Sequence, residues 1–290
     1  MKKILIILTL VLLSACSSNH YSSVSDGDEV LFSNSDGSIS FTKQELYETM
    51  KNNDVADLLK IRIVEKLGTI EGVDIESIKS EVEESVNQMV EAGYESFIIS
   101  YYGSVESYKN SSISSEILVS LCENEVNNNF DSYVEDNDPY KAEIVYFDTK
   151  EAAQAVLDAV NNEENTFEYA CTENGYTSEV TSTLYTDTDS DLPVDVKEWV
   201  LNTEEAKLSD IIEVSTTVND SDGNSTVDTR YYLVNLISKN VEDFKDEFVD
   251  NIVSSMDKDE VVNDLLEKYE ISIYDQRVYE MLKEEYEAIK

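Results

Sequence analysis

Ala142-Glu143-Ile144-Val145-Tyr146-Phe147 is the stretch on which the fold turns. The helical stripes before it repeat apolar residues at three- and four-residue steps. These six residues instead carry β-branched and aromatic side chains in an extended pattern, which predicts a strand. A polar boundary over residues 127–140, ending in Asp138-Pro139, marks the change. Downstream, Lys150 to Val160 is an Ala-rich helix, Phe167 to Glu173 a shorter one, and Val194 to Leu201 a third with the only tryptophan, Trp199. Ile211 to Val218 and Val227 to Ile237 are β-branched runs on either side of Asn219-Asp220-Ser221-Asp222-Gly223-Asn224, a hairpin signal. The order β-α-α-α-β-β is that of a small α+β domain.

Upstream, Val30-Leu31-Phe32 and Ser38-Ile39-Ser40-Phe41 flank Asn34-Ser35-Asp36-Gly37, where Asp-Gly suits a tight turn. Thr42-Lys43-Gln44-Glu45 is a capping box that starts a helix. Three stripes follow: Val55, Leu58, Leu59, Ile61, Val64 and Leu67; then Ile75 to Val90 through Val82 and Val86; then Ile113 to Phe130 through Ile117, Leu121 and Cys122. Such stripes are packing faces first, so Met89 and Cys122 are core candidates. After Lys239 the chain returns to helix, with Phe244, Phe248 and Ile252 on one face and Val261, Val262, Leu265, Leu266 and Tyr269 on another. Ile271 to Tyr274 alternates like an edge strand, and Val278, Met281, Leu282 and Tyr286 close with a last helix. These C-terminal pieces are too thin for a core of their own. They are expected to pack on the N-terminal helices. The fold class is therefore α+β, a mostly helical lobe made by residues 29–138 and 239–290 with a small domain inserted at 139–238.

The 290 residues hold 62 Asp and Glu against 21 Lys and Arg, a formal charge of −41, with 41% apolar residues. That apolar share is enough for a core. The acidity excludes a nucleic-acid partner, which needs clustered cations, and docking on an anionic bilayer through basic residues. One histidine, His20, excludes His-dependent nucleophilic catalysis and His-rich zinc sites. No cofactor and no metal ligand set is expected.

Met1-Lys2-Lys3 precedes an apolar run from Ile4 to Leu13, too short to span a bilayer at ~20 residues. A basic start, a short apolar core and small residues after it read as a secretory signal. Leu13-Ser14-Ala15-Cys16 is similar to a bacterial lipobox; the resemblance implies cleavage after Ala15 and a diacylglyceryl group on Cys16. Two acyl chains suit stable anchoring. The alternative is an ordinary secretory signal with a chance cysteine. Removing residues 1–15 takes away Lys2 and Lys3 and no acid, leaving 275 residues at −43. Residues 16–28, rich in Ser, Asn and Asp, read as a tether that includes His20. Cys122 and Cys171 have apolar neighbours on helices and read as free buried thiols, with a disulfide as the alternative.

The order of parts, from lipobox and hairpin through capped helix, further helices, an inserted α+β domain and a helical return, resembles the PrsA-type foldase lipoproteins, relatives of the periplasmic chaperone SurA. Phe41-Thr42-Lys43-Gln44-Glu45-Leu46-Tyr47 is similar to the family's opening, and Leu265-Leu266-Glu267-Lys268-Tyr269-Glu270-Ile271-Ser272-Ile273-Tyr274 to its closing helix and strand. The middle domain resembles a degenerate parvulin peptidyl-prolyl isomerase. Lys141 to Phe147 occupies the first parvulin strand, where the family's histidine falls on Ile144; Arg230 to Leu236 occupies the last, where the second falls on Tyr232. Phe167 to Glu173 fits a family helix, making Cys171 a helix-core residue, and the active-site Cys/Asp falls near Thr177. Leu208-Ser209-Asp210 matches a family turn; the Gly-Gly-Asp-Leu-Gly loop has no counterpart.

The resemblance implies an anchored foldase or chaperone on the extracytoplasmic face of the cell membrane, with unfolded secreted proteins as partners and a second copy of the chain as a further candidate. Catalytic residues are expected to be none, because both histidine positions are replaced. Tyr94, Phe97, Tyr101 and Tyr102 form an aromatic cluster that either lines a client surface or packs as core. Three rivals stand beside this reading. One is an isomerase working through other residues. Another is calcium at Asp187-Thr188-Asp189-Ser190-Asp191, where Leu192 replaces the glycine an EF-hand loop requires. The last is a small-molecule-binding lipoprotein, for which repeated βαβ units are missing.

Overall fold

Thr42 ends a strand and caps a helix in the computed structural model, which describes residues 27–50, 55–162, 165–176, 178–187, 191–219, 225–274, 276–283 and 286–289. The Glu45 N–H donates to Thr42 Oγ1 at 3.3 Å, and the Thr42 N–H donates to Glu45 Oε2 at 2.8 Å. These are the reciprocal bonds of the capping box read from the sequence. They join the antiparallel hairpin β1 (Val30–Ser33) and β2 (Ser40–Thr42) to helix α1 (Lys43–Met50). At the turn, Asn34 Oδ1 accepts from the Ile39 N–H at 3.0 Å, and Gly37 takes φ 74°, a conformation that costs an L-residue more.

Four helices follow that the stripes foretell in part: α2 (Val55–Ile70), α3 (Ile75–Glu91), α4 (Glu95–Tyr102) and α5 (Val105–Asn128). Asp74 caps α3 by accepting from the Ser77 N–H at 3.0 Å. A side chain at Gly68 would lie 2.7 Å from Ile117 Cγ2, so the glycine is what lets α2 and α5 approach this closely. After the middle of the chain, α11 (Lys258–Lys268), β8 (Ser272–Ile273) and α12 (Gln276–Leu282) come back. Both helices lie against α2, and β8 adds an edge to β1, giving the order β2-β1-β8. Leu59, Leu67, Ile117 and Leu121 from the first half share this unit with Val262, Leu266 and Leu282 from the second, all buried.

The returning segment is tied down by a polar contact as well. Glu71 accepts from Lys268 Nζ at 2.6 Å and from the Tyr269 hydroxyl at 2.6 Å. Burial pushes the Glu71 carboxyl up, but the two hydrogen bonds and the ammonium charge outweigh it and hold the group below its ordinary range. A depressed folded-state value stabilises fully above the unfolded carboxylate value, ~4, and the gain is lost as pH falls through the folded value. Glu71→Gln is therefore expected to lower the melting midpoint at pH 7, and the gap to wild type is expected to close as pH drops below ~4. A gap that stays constant across that range would remove the charge from the explanation.

The second sheet is five-stranded and antiparallel. β3 (Tyr140–Phe147) and β7 (Ser225–Ser238) form its centre, with β4 (Thr183–Tyr185) outside β3 and both β5 (Lys207–Leu208) and β6 (Ile212–Asn219) along β7. Alternation puts Val145, Phe147 and Leu233 under α7 (Lys150–Asn161) and α8 (Phe167–Glu173), where they pack with Ala153, Val156, Phe167, Ala170 and Cys171. The opposite face presents Tyr140, Ala142, Val234 and Leu236 to Val196 and Val200 of α9 (Val194–Leu201). Ser209 locks β5 to β7: its N–H donates to the Val234 carbonyl at 2.8 Å, and its hydroxyl accepts from the Val234 N–H at 2.9 Å.

The chain divides into two compact units, residues through Glu125 with those from Ser255 on, and Val126–Ser254. The second unit is wider than the stretch 139–238 because it takes in α6 (Phe130–Asn137) and α10 (Lys245–Ser255, save its last residue). Phe130 meets Phe248 edge-on at 5.9 Å between centroids, and Lys141 bridges Glu247 at 2.5 Å. The polar boundary of the sequence thus contains a helix, closed by Asp138 in the left-handed region at φ 44°. Among the described residues no helix is long and apolar enough to cross a membrane. The fold is α+β.

Candidate functional site

Two surfaces compete for a function, and the first is the face of the five-stranded sheet that carries Ile144 and Tyr232. Ile144 pairs with Val234 and Tyr146 with Tyr232, so Ile144 and Tyr232 are diagonal neighbours on one face. Both are partly buried and pack against the α9 side with Trp199, Leu192 and Ile212. Tyr146, two residues beyond Ile144, points the same way and is exposed; its ring is 5.6 Å from that of Tyr232. Arg230 lies over the Tyr146 ring at 4.4 Å and is held by Asp228 at 3.2 Å. Around Ile144 this face offers the phenols of Tyr146 and Tyr232, aliphatic surface and the Arg230 guanidinium. It offers no imidazole. Strand alternation alone puts Tyr146 beside Ile144 and Arg230 beside Tyr232, a signal present in the sequence but not read from it.

The other face holds no reactive group either. Cys171 is fully buried, and desolvation, then the charge of Glu143, pushes its thiol up to about 12. Glu143 itself accepts from Asn235 Nδ2 at 2.8 Å. Burial likewise raises the Cys122 thiol in the other unit. Both cysteines are free and buried, so neither supplies a thiolate at neutral pH. Thr177, at the place of the parvulin Cys/Asp, lies outside the described residues, as do Cys16, His20 and residues 188–190 of the acidic loop. In the described part of that loop, the Asp187 N–H donates to the Asn137 carbonyl at 2.8 Å, and Lys197 Nζ donates to the Asp187 carbonyl at 3.0 Å. Among the described residues no three His, Cys, Asp or Glu converge on a metal-sized site.

The second surface is α4, which belongs to the helical unit. Five of its eight residues are apolar or aromatic and spread over more than half of the helix surface, yet an isolated helix can bury only one stripe. The helix spends that stripe on Ile98, which is 1% exposed. Tyr94, Phe97, Tyr101 and Tyr102 remain 55%, 55%, 72% and 44% exposed, with Ile99 at 45%. The core reading of this cluster is thereby excluded. Gly93 and Gly103, at φ 92° and 76°, supply the turns that set α4 off from α3 and α5. The rings are not loose decoration. Phe97 and Tyr101 are 4.6 Å apart at their centroids, Tyr102 and Tyr108 are 4.7 Å apart, and the Tyr108 hydroxyl donates to Met89 Sδ at 3.6 Å. The end of α3, all of α4 and the start of α5 thus make one aromatic tip. Folded chains seldom leave such a contiguous apolar patch without a partner for it.

No protein-family model matches the sequence, and no curated protein matches it. Solved structures do. The chain is similar to the foldase protein PrsA of Lactococcus lactis at 16% identity, over 89% of this chain and 100% of that one, with a TM-score of 0.46. PrsA of Streptococcus pneumoniae is 17% identical over 85% of this chain and 96% of its own, with a TM-score of 0.38. The peptidylprolyl isomerase PrsA of Bacillus cereus is 14% identical over 89% and 99%, also at 0.38.

Proposed function

We propose that this chain is a lipid-anchored extracytoplasmic chaperone of the PrsA foldase kind, which holds unfolded secreted proteins on the aromatic tip built around α4. The observation that carries the reading is the exposure of Tyr94, Phe97, Ile99, Tyr101 and Tyr102 on one short helix. An unfolded client exposes apolar side chains, and burying them against these rings returns ~25 cal/mol for each Å² removed from water. Leu13-Ser14-Ala15-Cys16 supports the anchor. Cys16→Ala is expected to move the protein from the membrane fraction to the soluble fraction, or to leave it unprocessed. Unchanged fractionation with membranes would end the anchor assignment.

The sheet domain supports holding rather than catalysis. Prolyl isomerisation must cross ~18–20 kcal/mol, and the surface around Ile144 and Tyr232 has no paired imidazoles to lower it. Suppressed aggregation of an unfolded client, with no acceleration of proline-limited refolding, is the expected pair of results when an active parvulin is run alongside. Acceleration near that of the control, abolished by Tyr232→Phe, would instead establish a different active site on β7.

A further inference from the structure

The charge around the aromatic tip narrows what it would take, on the premise that α4 is the client surface. Between Lys79 and Lys109 the sequence has no Lys, Arg or His, but six acids: Glu81, Glu83, Glu84, Glu91, Glu95 and Glu106. All five aromatics of the tip fall in that span. Glu91 ends α3, Glu95 is in the first turn of α4 and Glu106 in the first turn of α5, so acids flank the rings on both sides; all three are exposed. Lys109, just beyond the span, is engaged by Glu83 at 3.3 Å.

Five rings elsewhere in the molecule carry a cation. Arg230 lies over Tyr146 at 4.4 Å, Lys245 over Phe130 at 4.3 Å, Lys268 over Tyr269 at 5.1 Å, Lys283 over Tyr279 at 5.6 Å and Lys207 over Trp199 at 5.9 Å. These cations come from the chain itself. The tip combines electron-rich ring faces with carboxylates, and the span that builds it supplies no cation of its own. Ring faces attract ammonium and guanidinium groups, and more so beside carboxylates.

We propose that the α4 tip selects extended client segments whose apolar side chains are flanked by Lys or Arg. The apolar side chains cover Phe97 and Tyr101, while the flanking cations meet the Tyr faces and the carboxylates of Glu91, Glu95 and Glu106. Charge complementarity of this kind chooses among partners more than it adds raw affinity. Acidic or neutral segments of equal hydrophobicity are the ones discriminated against.

The test uses the full processed chain and short fluorescent peptides with one shared apolar core, flanked by Lys and Arg, by Gln, or by Glu. Anisotropy titrations on the wild type are expected to show the cationic peptide about tenfold tighter than the Gln peptide, the preference shrinking at about 0.5 M salt. The triple variant E91Q/E95Q/E106Q is expected to lose most of that preference while still binding the Gln peptide. Equal affinities on the wild type would overturn the proposal alone. So would a preference that survives intact in the triple variant, since the net charge of the whole chain would then be its source. A separate variant, F97S/Y101S, reports on the premise: if it binds every peptide as the wild type does, α4 is not the client surface and the proposal falls with that reading.

Discussion

Replacing Phe97 and Tyr101 together with Ser is expected to remove most of the chain's ability to keep an unfolded client soluble, while leaving the protein folded. The two rings are 55% and 72% exposed and meet each other at a tilt, so they contribute little to the native core. Surface changes of this kind usually alter stability by no more than about 0.5 kcal/mol. At an interface the same residues behave differently. Aromatic anchors at the centre of a contact cost about 2 kcal/mol or more each when truncated, and two such losses would weaken client binding by roughly a thousandfold if additive. Light scattering of a denatured client diluted into wild type or variant reads the loss, and circular dichroism checks the fold. A variant that protects the client as well as wild type would move the holding surface elsewhere.

The second large effect is on assembly. Ending the chain before Ser255 is expected to prevent the helical unit from folding, because α11, β8 and α12 complete its core. Val261, Val262, Leu265, Leu266, Ile271, Val278, Leu282, Tyr286 and Ile289 are all buried in the intact chain. At ~1.5–3 kcal/mol each, their combined loss is comparable to or larger than the ~5–15 kcal/mol by which whole domains are stable. The loss of β8 also strips β1 of its second neighbour. Leu266→Ala is the milder probe: Leu266 is 1% exposed, and such truncations cost ~2–5 kcal/mol. Trp199, the only tryptophan, lies in the sheet unit, so its fluorescence follows that unit while far-UV circular dichroism follows the helices. A truncated chain that keeps the helical signal of residues up to 125 in addition to that of the sheet unit's own helices, and melts at the full-length temperature, would show that residues up to 125 fold without the C-terminal segment.

Much of this architecture is legible in the sequence because it rests on local rules. The Thr42–Glu45 box, the Asp-Gly turn and the stripes of α2, α3 and α5 depend on residues a few positions apart. β4 and β5 are different: at three and two residues they show no alternation, and they exist because β3 and β7 offer partners. Helix α6 hides inside a polar stretch, and it is the distant Phe248, with Lys245 over the ring, that gives Phe130 a reason to be ordered. The same distant contact draws α10 into the sheet unit, a pairing no periodicity announces.

The candidate site divides along the same line. Motif alignment places Ile144 and Tyr232, and strand register shows them on one face. The cluster of Tyr94, Phe97, Tyr101 and Tyr102 is plain in the sequence, but whether it is core or surface is not. Apolar side chains spread over more than half of a short helix give little orientation to it, and which of them is buried is decided by what packs on Ile98.

The most direct measurement is site-specific photo-crosslinking of an unfolded client. A photoreactive side chain would replace Ser100, exposed between Phe97 and Tyr101, or Tyr146, exposed on the sheet face of Ile144 and Tyr232. Client adducts are expected at position 100, competed away by excess unfolded protein, with few at position 146. Adducts concentrated at position 146 and absent at position 100 would contradict α4 as the holding surface and put the function on the sheet.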